Sequence, residues 1–315
     1  MSKPVFVMGS FVADAAFRAA RLPAWGETLM GSGFALGPGG KGSNQAVAAA
    51  RAGAKVMFLS KLGDDAFGQL ARATWEADGI DASLVANCVT PTGAAAILID
   101  EVRGENAIIV VPGACFMLTP AEVDAAADDI ASASLFLTQL ELPLDAVERG
   151  LRVARRAGVP TLLNPAPAQP LPDALLELTD YLIPNESEAA LLTGLPVGRV
   201  EQAELAARSL LARGARNVIV TLGAQGALLC TGLHAAELVP AVVAGPVVET
   251  TGAGDAFCGG FAAALSEGVP VRDAVRFGCA TAGISVTRSG TAPSMPRRKE
   301  IDTLLSAHPG SRSVS

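Results

Sequence analysis

A chain of 315 residues that is 50% hydrophobic and 17% charged can bury a substantial core, which excludes disorder as its general state. Its net charge of −7 and pI near 5.0 argue against a nucleic-acid partner, because the run Arg297-Arg298-Lys299 is too short to displace phosphate counterions. Five cysteines without a C-x-x-C pair, and only two histidines, leave neither a disulfide framework nor a zinc cluster and read as reduced thiols in a cytoplasmic protein.

Val5-Phe-Val-Met8 predicts a short central strand ending at Gly9-Ser10, with Asp14 just past the end where ligands bind in open α/β sheets. Asp14 also interrupts the only apolar stretch that might serve as a signal peptide. Residues 20–38, rich in glycine, read as loop and edge strand, with 27–30 a short extended piece. The run from Gly37 to Gly53 then passes from a glycine-rich loop into an alanine-rich helix.

Gly37, Gly39 and Gly42 formally satisfy G-x-G-x-x-G, so a nicotinamide-dependent oxidoreductase is one functional class to weigh. Against it, Ser60-Lys61 stands where a ribose-binding acid belongs, and Pro38 restricts the turn. The loop still offers Lys41, Asn44 and open amides to a polyhydroxylated ligand, unless Ser43 is only a helix cap and Lys41 only a solvated charge.

A strand over 56–59 and a helix over 66–78 closed by Gly79 follow, then a hairpin of 94–99 with 107–111. With the earlier loop it would form a small β-sheet lid, about 15–38 and 91–112, or remain a plain edge hairpin. From Thr119 helix and strand alternate: helix 119–130, strand 134–137, helix 143–157, strand 160–163. This predicts a single α/β domain over 1–315, built on a doubly wound, mostly parallel sheet, with an unstructured tail at 308–315. Strand ends would present Glu141, Asn185 with Glu188, and the turn Thr221–Gly226 along one edge. The longest uncharged stretch, 217–236, holds three glycines and reads as strand, turn and strand, not as a membrane span.

The densest chemistry is in Glu249-Thr-Thr-Gly-Ala-Gly-Asp255, which runs into an apolar helix. Gly252 and Gly254 let backbone amides converge on an anion, the helix start adds partial positive charge, and Asp255 supplies a carboxylate able to take a proton. The plainer reading is a tight turn with a favourable first-turn acid.

Taken together, Gly39-Gly-Lys-Gly-Ser-Asn-Gln-Ala46, Glu141 after Thr138-Gln-Leu140, Asn164-Pro-Ala-Pro-Ala168, Pro184-Asn-Glu-Ser-Glu188, Thr221-Leu-Gly-Ala-Gln-Gly226 and Thr250-Thr-Gly-Ala-Gly-Asp-Ala-Phe257 resemble the ribokinase-like carbohydrate kinase family across nearly the whole chain. The resemblance implies Asp255 as catalytic base, with the Gly252, Ala253 and Gly254 amides around the transferring phosphate. It implies sugar contacts at Asp14, Gly40, Lys41, Asn44 and Glu141. Asn185, Glu188, Thr221, Gly223, Gly226, Gly254 and Cys279 would face ATP and its Mg2+. A K+ site would lie at Glu249, Thr251, Ser285, Arg288, Gly290 and Ser294.

Two positions depart from the family pattern. Glu249 replaces the usual aspartate, and Val12 stands where an asparagine would contact the sugar. The implied function is ATP-dependent phosphorylation of a primary hydroxyl, D-ribose to D-ribose 5-phosphate first, with 2-deoxyribose or another altered sugar second. A sugar-binding protein without catalysis is disfavoured by the intact Asp255 and its glycines. A homodimer paired through the lid edges is expected, with no membrane partner.

Overall fold

The computed structural model describes residues 3–103, 105–232 and 234–308. Strand β1 (Val5–Met8) is followed by β2 (Val12–Ala19), β3 (Gly33–Gly39), β4 (Val56–Gly63), β5 (Asp81–Cys88), β6 (Thr92–Asp100) and β7 (Glu105–Gly113). The second half contributes β8 (Leu135–Thr138), β9 (Thr161–Leu163), β10 (Tyr181–Leu182), β11 (Asn217–Thr221), β12 (Ala227–Thr231) and β13 (Glu237–Val239).

Nine of these strands form one sheet in the order β13-β12-β11-β10-β9-β8-β1-β4-β5. From β11 to β5 every pair is parallel, and β12 and β13 close the far edge antiparallel. Strands β1, β8 and β9 are buried at every position because both faces are covered. In β1, Val5 and Val7 point into one core cluster, with the Lys41–Arg51, Ala253–Ser266 and Val271–Ser285 helices. Phe6 and Met8 point into the other, with the Leu144–Arg156 and Val200–Ala212 helices.

The remaining strands form a separate four-stranded sheet, β3-β2-β6-β7, in which β2 and β6 run parallel. Asp14 therefore lies inside a strand of this second sheet, and not in a loop beyond β1. Residues 27–30 are not a strand; the extended segment begins at Gly33, where Phe34 and Leu36 alternate along β3. This also removes the oxidoreductase reading, since Gly37 and Gly39 pair with Asp14 and Val12 in β3 and form no phosphate-binding turn after a strand of the main sheet.

The helix expected over 119–130 is two, Pro120–Ala125 and Ala127–Ser132, hinged at Ala126 (φ −94°, ψ 11°). The expected tail lies outside the described residues, apart from His308.

Candidate active site

The helices Lys41–Arg51 and Ala253–Ser266 pack closely against each other. Gly259 makes the crossing possible: a Cβ on it would lie 2.4 Å from Ala48 Cβ and 2.6 Å from the Gln45 carbonyl oxygen. On its other flank, a Cβ on Gly260 would meet Thr281 Oγ1 at 2.3 Å.

The crossing sets Asp255, only 6% exposed, against the start of the other helix. Asn44 Nδ2 donates to Asp255 Oδ2 at 3.0 Å, and Gln45 Nε2 donates to Oδ1 at 2.9 Å. Amide NH2 groups only donate, so they fix the carboxylate as an acceptor and hold its plane. Asn44 Oδ1 is buried without a partner among the described residues, an acceptor left over beside the Asp255 carboxylate.

Before the helix, residues 250–253 make a turn in which Ala253 N–H donates to the Thr250 carbonyl at 3.1 Å. Gly252 is its third residue at φ 81°, a conformation that strains any L side chain. The Ala253 amide is thus spent within the turn. The amides of Gly252, Gly254 and Asp255 donate to no partner among the described residues, which leaves them as open donors at the helix start. Space above Gly254 is open, with no heavy atom within 4 Å of a Cβ placed there.

Facing this pole is a group of charged side chains. Glu141 Oε2 accepts from the Lys41 amide at 2.9 Å and from the Ser10 hydroxyl. The helix that follows Gly40 (φ 84°) has no side-chain cap, and Ser43 instead accepts from Trp75 Nε1 at 2.9 Å. Burial alone would lower the Lys41 ammonium, but the carboxylates of Asp255, Glu141 and Glu188 outweigh it and raise Lys41 above its ordinary value. Lys41 is half-buried at the start of its helix and is not a fully solvated surface lysine.

Asp14 has no such support. Desolvation and then repulsion from Glu141 push it up to about 6. The Thr291 hydroxyl lies 3.5 Å away and donates better to the Pro38 carbonyl at 2.9 Å. Val12 is 3% exposed and shares the Asp14 face of β2, while Phe11 and Ala13 turn into the core.

On the opposite side, Asn185 and Glu188 form a capping box at the Glu186–Thr193 helix. The Asn185 amide donates to Glu188 Oε2 at 2.8 Å and Asn185 Nδ2 to Oε1 at 3.0 Å. Desolvation raises Glu188, partly offset by its bond from Asn185. Thr221 ends β11 and bridges to Asn185, and the Leu222 amide closes the following turn on the Gly226 carbonyl at 2.8 Å, with Gly223 between them. Cys279 is buried in the core, its thiol pushed up to about 12 by desolvation, so it contributes packing and no charge.

At the rim, Glu249 Oε2 accepts from the Gly290 amide at 2.9 Å. The Ser285 and Ser294 hydroxyls donate to the carbonyls of Ala282 (2.9 Å) and Thr291 (2.7 Å), which leaves their oxygen lone pairs open. The Arg288 guanidinium pairs with Glu300, so only its carbonyl can serve a cation, and Thr251 stands exposed in the turn.

Gln45, Gln139, Asn164 and Ser10 belong to this network although they had no assigned role in the sequence. Gln45, Gln139 and Asn164 lie within the motifs that carry the family resemblance, and that was the signal that could have found them.

A family model described as pfkB family carbohydrate kinase matches residues 2–298. The ribokinase of Haemophilus influenzae is 40% identical over 302 residues, covering 95% of this chain and 97% of that protein. The deoxyribokinase of Salmonella typhi is 38% identical over 304 residues, covering 96% and 98%. The structure of Arabidopsis thaliana ribokinase complexed with ribose and ATP is similar with a TM-score of 0.91 at 33% identity, across 97% of this chain and 99% of that one.

Proposed function

Because the chain belongs to the pfkB family of carbohydrate kinases, we propose that it transfers a phosphoryl group from ATP to the primary hydroxyl of a pentose, D-ribose first, giving D-ribose 5-phosphate. The observation that carries this reading is a buried, doubly held Asp255 beside three unspent amides at a helix N-terminus.

Asp255 accepts the hydroxyl proton as the sugar oxygen attacks, on the lone pairs that Asn44 and Gln45 leave open. The Gly252, Gly254 and Asp255 amides and the helix start hold the charge that spreads over the transferring group. Asp14 and the free oxygen of Glu141 accept from ring hydroxyls, and Asn44 Oδ1 takes one more. ATP with Mg2+, when bound, supplies the phosphoryl group and neutralises its oxygens. Asn185 and Glu188 would hold the Mg2+ side, since their hard oxygen donors suit it, with the Thr221–Gly226 turn and Cys279 toward the nucleotide.

A second reading, 2-deoxyribose, is favoured by Val12, which puts no donor or acceptor on the pocket wall beside Asp14. Release of ADP across a sugar panel separates the two. Ribose should lead, deoxyribose should follow, and ADP release only with sugars lacking a primary hydroxyl would refute both.

The oxygen-only set at Glu249, Thr251, Ser285, Arg288, Gly290 and Ser294 supports a K+ site beside the anion hole, to be checked by rates in K+ against Na+ at matched ionic strength. The four-stranded sheet would act as a lid, because β2 carries Asp14 into the pocket. Its outer face exposes Phe17, Phe34, Leu36, Ile109 and Val111, and this apolar surface supports a homodimer through the lid. Free cysteines support a cytoplasmic setting, and no helix among the described residues is long and apolar enough to cross a membrane.

A further inference from the structure

Behind Asp255 lies a chain of three buried side-chain amides, with Gln45 0%, Gln139 1% and Asn164 7% exposed. Asn164 Nδ2 donates to the Ile183 carbonyl at 2.8 Å. A carbonyl can only accept, so this contact fixes which end of Asn164 faces it, and Asn164 Oδ1 must turn toward Gln45. Gln45 Nε2 answers it at 3.0 Å and gives its second hydrogen to Asp255 Oδ1 at 2.9 Å. Gln45 Oε1 is thereby turned to Gln139, whose Nε2 donates at 2.7 Å. Reversing any one amide sets oxygen against oxygen or N–H against N–H.

The far end is left unsatisfied. Gln139 Oε1 is buried without a partner among the described residues, in the place where a Cβ on Gly9 would come within 2.5 Å. An orphaned buried acceptor costs stability, and three apolar side chains of similar volume would avoid it. The fold tolerates the orphan at Gln139 and delivers the donor at Asp255.

We propose that Gln45, Asn164 and Gln139 are positioning residues for the base, a one-directional amide relay anchored on the Ile183 carbonyl that keeps an N–H on Asp255 Oδ1. The proposal rests on the reading of Asp255 as the base. It implies that a residue touching neither substrate nor Asp255 sets the turnover rate.

The test compares Gln45→Met, Gln139→Met and Asp255→Asn in the intact protein, with kcat, KM for ribose and ATP, and Tm for each. Gln45→Met should lower kcat about tenfold or more, and Gln139→Met roughly threefold to tenfold, with both KM values within about twofold of wild type. Tm of Gln139→Met should stay near wild type, because one orphaned acceptor, Gln139 Oε1, is exchanged for another, Gln45 Oε1. A merely structural role predicts the reverse, kcat falling only in step with Tm. Wild-type kcat in Gln139→Met, or losses confined to KM, overturns the relay even if Gln45→Met fails to fold. If Asp255→Asn is inert while both methionine variants turn over normally, the relay alone fails. If Asp255→Asn turns over normally, the base assignment fails, and the relay with it.

Discussion

Asp255 and Asp14 are the same side chain in two opposite settings, and the contrast divides the molecule into a prepared half and a responsive half. Asp255 sits in the wall made by two crossed helices, each oxygen held by an amide donor. Asp14 sits on the small sheet, desolvated among like charges with no firm donor, and rises to about 6. If Asp255 is the base as proposed, the wall already holds it in place, as pre-organised chemistry requires. The sheet holds an acceptor whose partners are still to come, which suits a surface that closes on sugar hydroxyls.

The largest effect should come from breaking the prepared half. Asp255→Asn should lower kcat ~10²-fold or more while ATP still binds, because the amides survive and only the proton acceptor is lost. Steady-state rates with nucleotide-binding calorimetry check this, and a variant retaining more than about a tenth of the rate places the base elsewhere.

Asp14→Asn probes the responsive half and should split function from stability. KM for the sugar should rise roughly tenfold to a hundredfold, since hydrogen bonds to a charged acceptor are worth ~1.5–3 kcal/mol. Tm at neutral pH should increase. A carboxyl raised from 3.8 to about 6 in the folded state makes ionisation costly to the fold, a penalty that sets in between those values and is complete above about 6. The Tm gain of Asp14→Asn should therefore shrink as pH falls from 8 to 5, and wild-type sugar KM should rise below about pH 6. A Tm gain independent of pH would contradict the origin given for the shift.

Gly259→Ala tests how far the wall depends on its helix crossing. The new methyl meets backbone and Ala48 at 2.4–2.9 Å, so the helices must part. We expect a cost of about 1–3 kcal/mol from overpacking and a ~10-fold lower kcat as Asp255 draws away from Asn44 and Gln45. An unchanged rate would mean that the crossing does not set the base.

Val12→Asn should have the smallest effect, raising kcat/KM for ribose over 2-deoxyribose by up to about tenfold, the factor of 1.4 kcal/mol. An unchanged ratio would show that Val12 does not face the sugar.

The two halves were also unequally legible in the sequence. Residues 252–255 announce their chemistry locally, because glycine freedom, helix start and acid are adjacent. The parallel strands likewise betray themselves as continuous apolar runs. In the small sheet the hairpin of β6 and β7 was legible but β2 was not: Val12–Ala19 is alanine-rich with no clear alternation, and its parallel pairing with β6 joins segments about eighty residues apart. The relay was hidden for the same reason. Gln45 meets Gln139, Asn164 and Asp255 across sequence separations of 94, 119 and 210, and no local pattern encodes such contacts. The bond from the Ala253 amide to the Thr250 carbonyl likewise depends on the turn's actual geometry and could not be read from the sequence.

The central claim, a base and anion pole aimed at a sugar's primary hydroxyl, is tested most directly by 31P and 13C NMR of the product made from ribose and ATP. The account predicts one sugar product with phosphate on the C5 oxygen. Phosphate on C1 or a secondary hydroxyl, or ADP with inorganic phosphate and no sugar ester, would contradict it.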